Sequence, residues 1–384
     1  MKLLMLATDN YQGSGAFRSL TFLARSLMDL FGDKAIVILP YEGDGSSLLL
    51  SNRIPFRLIP SYSWVKPCSL KGVPALREWF GRWRRNHRAI NEIRTTIRSE
   101  KIECVYINTS FGYVGAIAAI KEKVPYVWHI REYLTNDFDM NYFSWRLAKK
   151  YFLRASSIVC VSEHLKDTYL EKLQLPPHRI KCIHNGIRVS DFYCKRAIFK
   201  NRKIIATIVG GVSVFKGQYD LVDAIASKAE SLKDRIEITV VGDNGGAKKL
   251  NEYVLSKGVA AFFNIVGYKT NVADYLRQSD ILFMCSRCEA FGRVTVEGML
   301  AGCLAIGSAS GGTLDIISHE ETGLLYSQGN PDDLAKTIQY ALDNPERMKK
   351  IAASGQDYCV REFTVEKNAK SLRQIFKMCT KSKG

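Results

Sequence analysis

The stretch "DILFMCSRCEAFGRVTVEGMLAGCLAIGS", residues 280–308, reads as strand, loop, helix and strand. "DILFMCS" and "CLAIGS" are short buried runs, "RCEAFG" is the loop, and "RVTVEGMLA" is a helix ended by Gly302. A helix joining two buried strands makes a crossover, and crossovers build parallel sheets. Glu289 and Glu297 stand eight positions apart in this unit, among mostly apolar and small residues. Burying either carboxylate unpaired would cost several kcal/mol, so each needs a partner or a cavity. An acid and nucleophile pair, a metal site, and holders of a polar ligand are all open at this point.

The same alternation extends outward in both directions. Candidate strands are "KLLMLA" (2–7), "AIVIL" (35–39), "CVYIN" (104–108), "YVWHI" (126–130) and "SIVCVS" (157–162). A second series comprises "KIIATIVG" (203–210), "IEITVVG" (236–242), "FFNIVG" (262–267) and the two runs above. Helical patterns lie between most of them, so the fold class is α/β, with two Rossmann-like, doubly wound domains facing a central cleft. The seam follows "IHNGI" (183–187), in a polar, basic and weakly patterned linker. The expected domains are 1–190, 199–363, and a C-terminal helix with a basic tail at 364–384 that returns toward the first domain. Ligands of open α/β sheets bind at the carboxyl ends of strands.

The 384 residues are 46% hydrophobic and 24% charged, a globular composition too long for one ordinary core. No apolar run approaches the roughly 18–20 residues of a membrane helix. In "MKLLMLATDN", Asp9 interrupts the apolar run, so a first strand is expected rather than a leader. Ten scattered cysteines without a disulfide framework fit a reducing, cytoplasmic setting. The formal charge of +17 asks for an anionic partner: nucleic acid, a membrane surface or a phosphorylated substrate. The densest basic segment, residues 76–98, reads as a helix with Trp79, Trp83, Ile90 and Ile93 on one side. Arg84, Arg85, Arg88 and Arg98 are available to another, which suits acidic headgroups or a solvated face. No zinc-finger spacing or RNP-like aromatic motif supports nucleic acid.

Gly13 and Gly15 in "YQGSGAFRSL" would let backbone N–H groups approach a phosphate or sugar at a helix start. Arg18 stands where a dinucleotide fingerprint needs Gly or Ala. In "VGGVSVFKGQYDL", Gly210 and Gly211 end a strand and Lys216 precedes the next helix, placed to neutralise a diphosphate. No Gly-Lys-Ser/Thr follows, so this is not a Walker loop. His129 ends a strand, where a structural and a functional histidine are equally expected. Asp137 and Asp139 form an Asp-x-Asp better read as solvated or capping groups than as metal ligands, and Cys285-x-x-Cys288 lacks the second pair a zinc site needs. Two carboxylates on one segment beside two phosphate-type loops suit sugar hydroxyls better than a glycosidase pair, which would flank one bond.

At these residues the chain resembles a retaining glycosyltransferase of the GT4 family, with the two-domain GT-B fold. The run "CEAFGRVTVEGMLAGCLAIGSASGGTLDII" (288–317) carries the resemblance, supported by "GSG", "WHIRE", "VSEHLKD", "IHNGI" and "FKGQ". The resemblance implies that Glu289 contacts the donor sugar, helped by the backbone at Phe291, Gly292 and Arg293. It implies that Glu297 holds the ribose hydroxyls, that Lys216 binds the diphosphate, and that His129 sits near the transferred sugar. Gly13 to Gly15 would face donor phosphates or the acceptor, and the loop at Gly267 and Tyr268 would meet the base. Two departures stand out: Gly211 occupies the position where relatives often carry arginine, and Asp315 replaces a frequent glutamate.

The expected reaction moves a sugar from a UDP- or GDP-linked donor to a hydroxyl acceptor with retention, without metal or cofactor. The expected partners are the nucleotide sugar, a glycan or lipid-linked glycan of the cell envelope or capsule, and an anionic membrane surface at the cytoplasmic face, with no nucleic acid. A nucleotide-sugar 2-epimerase and a non-catalytic polyanion-binding protein are the alternatives.

Overall fold

The computed structural model describes residues 1–381. The end of the expected basic tail, 382–384, and the side chain of Asp137 lie outside the described residues. The chain divides into two compact units, Met1–Gly186 with the segment from Val365 onward, and Ile187–Thr364.

The first unit holds β1 (Lys2–Leu6), β2 (Lys34–Leu39), β3 (Phe56–Leu58), β4 (Val65–Pro67) and β5 (Cys104–Asn108). It continues with β6 (Tyr126–Ile130), β7 (Met140–Tyr142), β8 (Ser157–Cys160) and β9 (Ile180–Cys182). Seven of them form one sheet in the order β3-β2-β1-β5-β6-β8-β9, while β4 and β7 pair separately and antiparallel. Every pairing within the large sheet is parallel, and its central strands are buried along their length. That explains their near-continuous apolar runs, since helices cover both faces of a parallel sheet.

The helix Gly15–Phe31 follows β1. Ser14 caps it by accepting from the Phe17 N–H, and Gly32 ends it in the left-handed conformation. Phe17, Leu20, Leu23 and Leu27 face the core, where the C-terminal helix Val365–Lys381 adds Leu372, Ile375 and Phe376. The same helix brings the Arg373 guanidinium to the buried Asp33 carboxylate, at 2.8 and 3.1 Å. The terminal ammonium of Met1 donates to Asp33 from the other side, at 2.8 Å. Burial works to raise the Asp33 pKa, but Arg373 and the ammonium outweigh it and hold the carboxyl below its usual range.

The basic helix runs from Gly72 to Ser99 and departs from expectation in its face. Ile90 and Ile93 enter the core, whereas Trp83 is exposed and Trp79 half-buried. The physical reason is local: in its first half this helix has Ala75 and Asn86 against the unit, so the large apolar groups there have no core to enter.

The second unit contains β10 (Ile204–Val209), β11 (Ile236–Val241), β12 (Phe263–Gly267), β13 (Ile281–Met284), β14 (Leu304–Ser308) and β15 (Leu324–Tyr326). They form a parallel sheet in the order β12-β11-β10-β13-β14-β15. The chain builds outward from β10 to β12, then restarts beside β10 with β13. The β10–β13 neighbours are therefore a topological switch point, where the loops leave in opposite directions and open a crevice. No disulfide joins any of the ten cysteines, and Cys285 is buried while Cys288 is half-buried. No helix among the described residues is long and apolar enough to cross a membrane.

Candidate active site

In the second unit, Lys216 follows β10 and Glu289 follows β13, the two strands of the switch point. Ser213 caps the turn Val214–Lys216 by accepting from the Lys216 N–H, which fixes where the lysine emerges. The Lys216 Nζ donates to Glu289 Oε2 at 2.7 Å. The two loops are also zipped by backbone, with the Arg287 N–H on the Phe215 carbonyl at 2.8 Å. Gly217 sits in the left-handed region at φ 73°, and a Cβ there would lie 2.1 Å from the Cys285 carbonyl oxygen. Only glycine lets the two loops approach this closely.

A third loop supports Glu289 from beneath. The Gly312 N–H donates to the Glu289 carbonyl at 2.7 Å. Gly311 is left-handed at φ 51°, and a Cβ on it would stand 2.4 Å from that same carbonyl oxygen. The chain then passes Phe291 and Gly292 into the helix Arg293–Leu300. That helix begins four residues after Glu289, and a Cβ on Gly292 would lie 3.5 Å from the Glu289 Cγ. Glu297, one turn inside, is buried and accepts from Arg293 Nη2 at 3.3 Å, a pair four residues apart that shares one helix face. The burial of Glu297 is thus compensated by a cation, as its cost requires.

The other second-unit candidates rim the same carboxyl edge. Gly211 follows β10, and a Cβ there would be 3.2 Å from Asn244 Cγ, so a larger residue would have to displace that amide. Gly267 ends β12 and accepts from the Gly242 N–H at 2.8 Å, and Tyr268 beyond it is exposed. Asp315 lies in the first turn of the short helix Thr313–Ile316.

In the first unit, Gly13 and Gly15 bracket Ser14 at the start of the first helix. The Ser14 hydroxyl also donates to Asp9 Oδ2 at 3.1 Å, and burial raises the Asp9 pKa against the pull of Ser14 and the Tyr11 N–H. His129, at the end of β6, is wholly buried and lies in a network the sequence reading did not assign. Its Nδ1 is 2.7 Å from the Tyr106 hydroxyl and 3.3 Å from Arg131 Nη2. Arg131 further donates to Tyr106 at 2.8 Å, to Asn108 Oδ1 at 2.6 Å, and to Asn185 Oδ1. A guanidinium only donates, so the Nδ1 facing it is the acceptor and the ring proton sits on Nε2. Burial, then the Arg131 charge, holds the His129 pKa well below its usual value, so the ring is neutral. The Nε2 atom is buried and has no hydrogen-bond partner among the described residues. It is a prepared donor without an acceptor.

Arg131 and Asn185 belong to the segments "WHIRE" and "IHNGI", so the sequence marked where they lie but not what they do. An arginine two residues past a strand-end histidine was the available signal. Asp139 caps the short helix Leu134–Phe138 in the left-handed conformation and is exposed.

Residues 14–191 match the family model described as Glycosyltransferase Family 4, and residues 192–358 match that of Glycosyl transferases group 1. The chain belongs to the GT4 family of glycosyltransferases. This GT4 chain is 27% identical to an uncharacterized glycosyltransferase of Methanocaldococcus jannaschii, over 74% of its own length and 77% of the relative's. It is also 27% identical to the D-inositol 3-phosphate glycosyltransferase of Jonesia denitrificans, over 45% of this chain and 42% of that one. Among solved structures, Anabaena HepE in complex with UDP and glucose superposes with a TM-score of 0.79 at 21% identity, covering 98% of this chain and all of the other. WaaG, a glycosyltransferase involved in lipopolysaccharide biosynthesis, superposes at 0.69 and 16%, covering 97% and 99%. The GT4 chain accordingly has the GT-B fold, two α/β domains with parallel sheets.

Proposed function

We propose that this GT4 glycosyltransferase works with retention and without a metal, moving a sugar from a UDP- or GDP-linked donor to a hydroxyl of an envelope glycan or lipid-linked glycan. The observation that carries the reading is the Lys216–Glu289 pair at the switch point of the second sheet, cradled by the loop at Gly311 and Gly312. The HepE structures hold UDP and UDP-glucose, which favours a uridine donor.

On this reading the donor diphosphate takes Lys216, and the sugar hydroxyls take the Glu289 carboxylate in its place. The leaving diphosphate gains charge as the glycosidic bond breaks, and the ammonium with the N–H groups near Phe291, Gly292 and Arg293 stabilises it. These groups supply the electrostatic work that a metal does elsewhere. Glu289 orients the sugar and steadies the oxocarbenium-like centre without attacking it. Glu297, neutralised by Arg293, accepts from the ribose hydroxyls, and Tyr268 lies beside the base. His129 offers its Nε2–H to a substrate hydroxyl as a donor, not as a base. The N–H groups at the start of the first helix that Ser14 does not cap are offered to an anionic oxygen at Gly13 to Gly15.

The test is a panel of UDP- and GDP-sugars with the anomeric proton followed by NMR. Release or transfer of the sugar with the donor's own anomeric configuration, with EDTA present, supports the reading. An inverted first product, or a requirement for divalent metal, contradicts it.

A further inference from the structure

The first half of the helix Gly72–Ser99 carries an apolar face that the core does not use. Val73, Leu76, Phe80 and Trp83 are exposed to 70, 68, 59 and 42%. Their spacings of three, four and three residues set them on one side of the helix. Phe80 and Trp83 stack with ring centroids 5.7 Å apart, and the His87 ring continues the row against Trp83 at 5.8 Å. Arg77, Arg84 and Arg88 each follow a residue of this row by one position, about 100° round the axis, and all three are exposed. The one acid between Gly72 and Arg88 is Glu78, and Arg82 neutralises it, while Glu92 one turn further on pairs with Arg88 at 2.8 Å. Arg82 is turned inward, donating to the Ser63 and Val65 carbonyls at 3.1 and 2.9 Å. The outer surface is therefore apolar with a cationic border.

We propose that this half-helix docks on an anionic lipid surface, with Val73, Leu76, Phe80 and Trp83 in the headgroup–acyl boundary and Arg77, Arg84 and Arg88 on lipid phosphates. An interfacial helix has this division into an apolar stripe and an adjoining basic face. The complementarity is carried by charge: the protein's +17 draws it toward a negative surface, and the three arginines act within a Debye length of it. A polyanion such as nucleic acid would engage the arginines but leave Val73 and Leu76 in water. The inference stands apart from the transferase reading, because docking is measured without turnover.

The test sediments the full chain with vesicles of phosphatidylcholine alone and of phosphatidylcholine with phosphatidylglycerol, at low and high salt. The expected result is pelleting with the anionic vesicles at low salt and release at high salt. Arg84→Gln with Arg88→Gln should weaken partitioning about fivefold per arginine, on the order of 25-fold together. Phe80→Ser with Trp83→Ser should abolish it. Both variants should keep the wild-type melting temperature, since all four side chains face solvent. Wild-type protein that stays in solution with anionic vesicles overturns the proposal, as does pelleting unchanged in both variants. A dimer that Phe80→Ser with Trp83→Ser dissociates, in protein that ignores vesicles, would assign the face to a second copy instead.

Discussion

The Lys216 ammonium and the Glu289 carboxylate lie 2.7 Å apart, so the two charges neutralise each other across the loops that follow β10 and β13. On the proposed function, each exchanges its partner when the donor binds. Removing one therefore affects binding and turnover in different directions.

Glu289→Gln keeps the shape of the side chain and removes its charge. Without the Glu289 charge opposite it, Lys216 should hold UDP about two- to fivefold more tightly, the range of a partly exposed ion pair. Transfer should fall at least about a hundredfold, the usual loss when a group stabilising the transition state is removed. Calorimetry with UDP beside steady-state rates separates the two effects. Unchanged turnover would remove Glu289 from the chemistry.

Lys216→Met should weaken UDP by about 10- to 100-fold, the worth of a charge-assisted hydrogen bond to phosphate. Uridine, which has no phosphate, should bind as before. Equal losses for both ligands would mean that Lys216 shapes the loop and does not meet the diphosphate.

Gly311→Ala places a Cβ 2.4 Å from the Glu289 carbonyl oxygen in a left-handed conformation. The expected cost is about 2–4 kcal/mol, with transfer falling further than stability because the carboxylate moves. Gly258→Ala has a similar φ of 72° but nothing within 4 Å, and should cost only about 1 kcal/mol with full activity. Thermal melts and rates on both variants make the comparison.

His129 should give an imidazole ¹⁵N spectrum with Nδ1 bare and Nε2 protonated, and should stay neutral at pH values where a free imidazole takes up its proton. Its folded pKa lies below the unfolded one, so the unfolded chain binds the extra proton and stability drains away as pH falls below the unfolded value. Tyr106→Phe removes the 2.7 Å contact to Nδ1 and should shift that spectrum while costing about 1 kcal/mol. A histidine protonated at Nδ1 would contradict the donor assigned to Nε2.

Arg373→Met should lower stability by about 1–3 kcal/mol by leaving Asp33 with the terminal ammonium alone. Because the folded Asp33 pKa is depressed, its contribution is present above the unfolded carboxylate value and lost as pH falls through the folded one. Without Arg373 that loss should begin at higher pH. Denaturant titrations across the acid range check it.

The long buried strands were legible because a parallel sheet leaves apolar runs: "CVYIN" and "YVWHI" are β5 and β6 residue for residue. β3, β9 and β15 escaped the sequence reading because three residues are too few to display a run. The loop positions of Lys216 and Glu289 were also legible, since glycines punctuate both. Their ion pair was not, because it joins residues 73 positions apart through the pairing of β10 with β13. The Tyr106–His129–Arg131 network was hidden for the same reason, and the exposed turn of Trp83 depended on where the core ends along its helix.

A nucleoside-diphosphate site built on Lys216 and Glu289 is tested by a thermal-shift titration with UDP, GDP, ADP and NAD, with and without EDTA. A ligand at 100 times its dissociation constant should add about 2.7 kcal/mol of stability. The predicted result is stabilisation by UDP or GDP that EDTA leaves unchanged and that Lys216→Met cuts to about half or less. Stabilisation by NAD alone, or by none of the four, would contradict it.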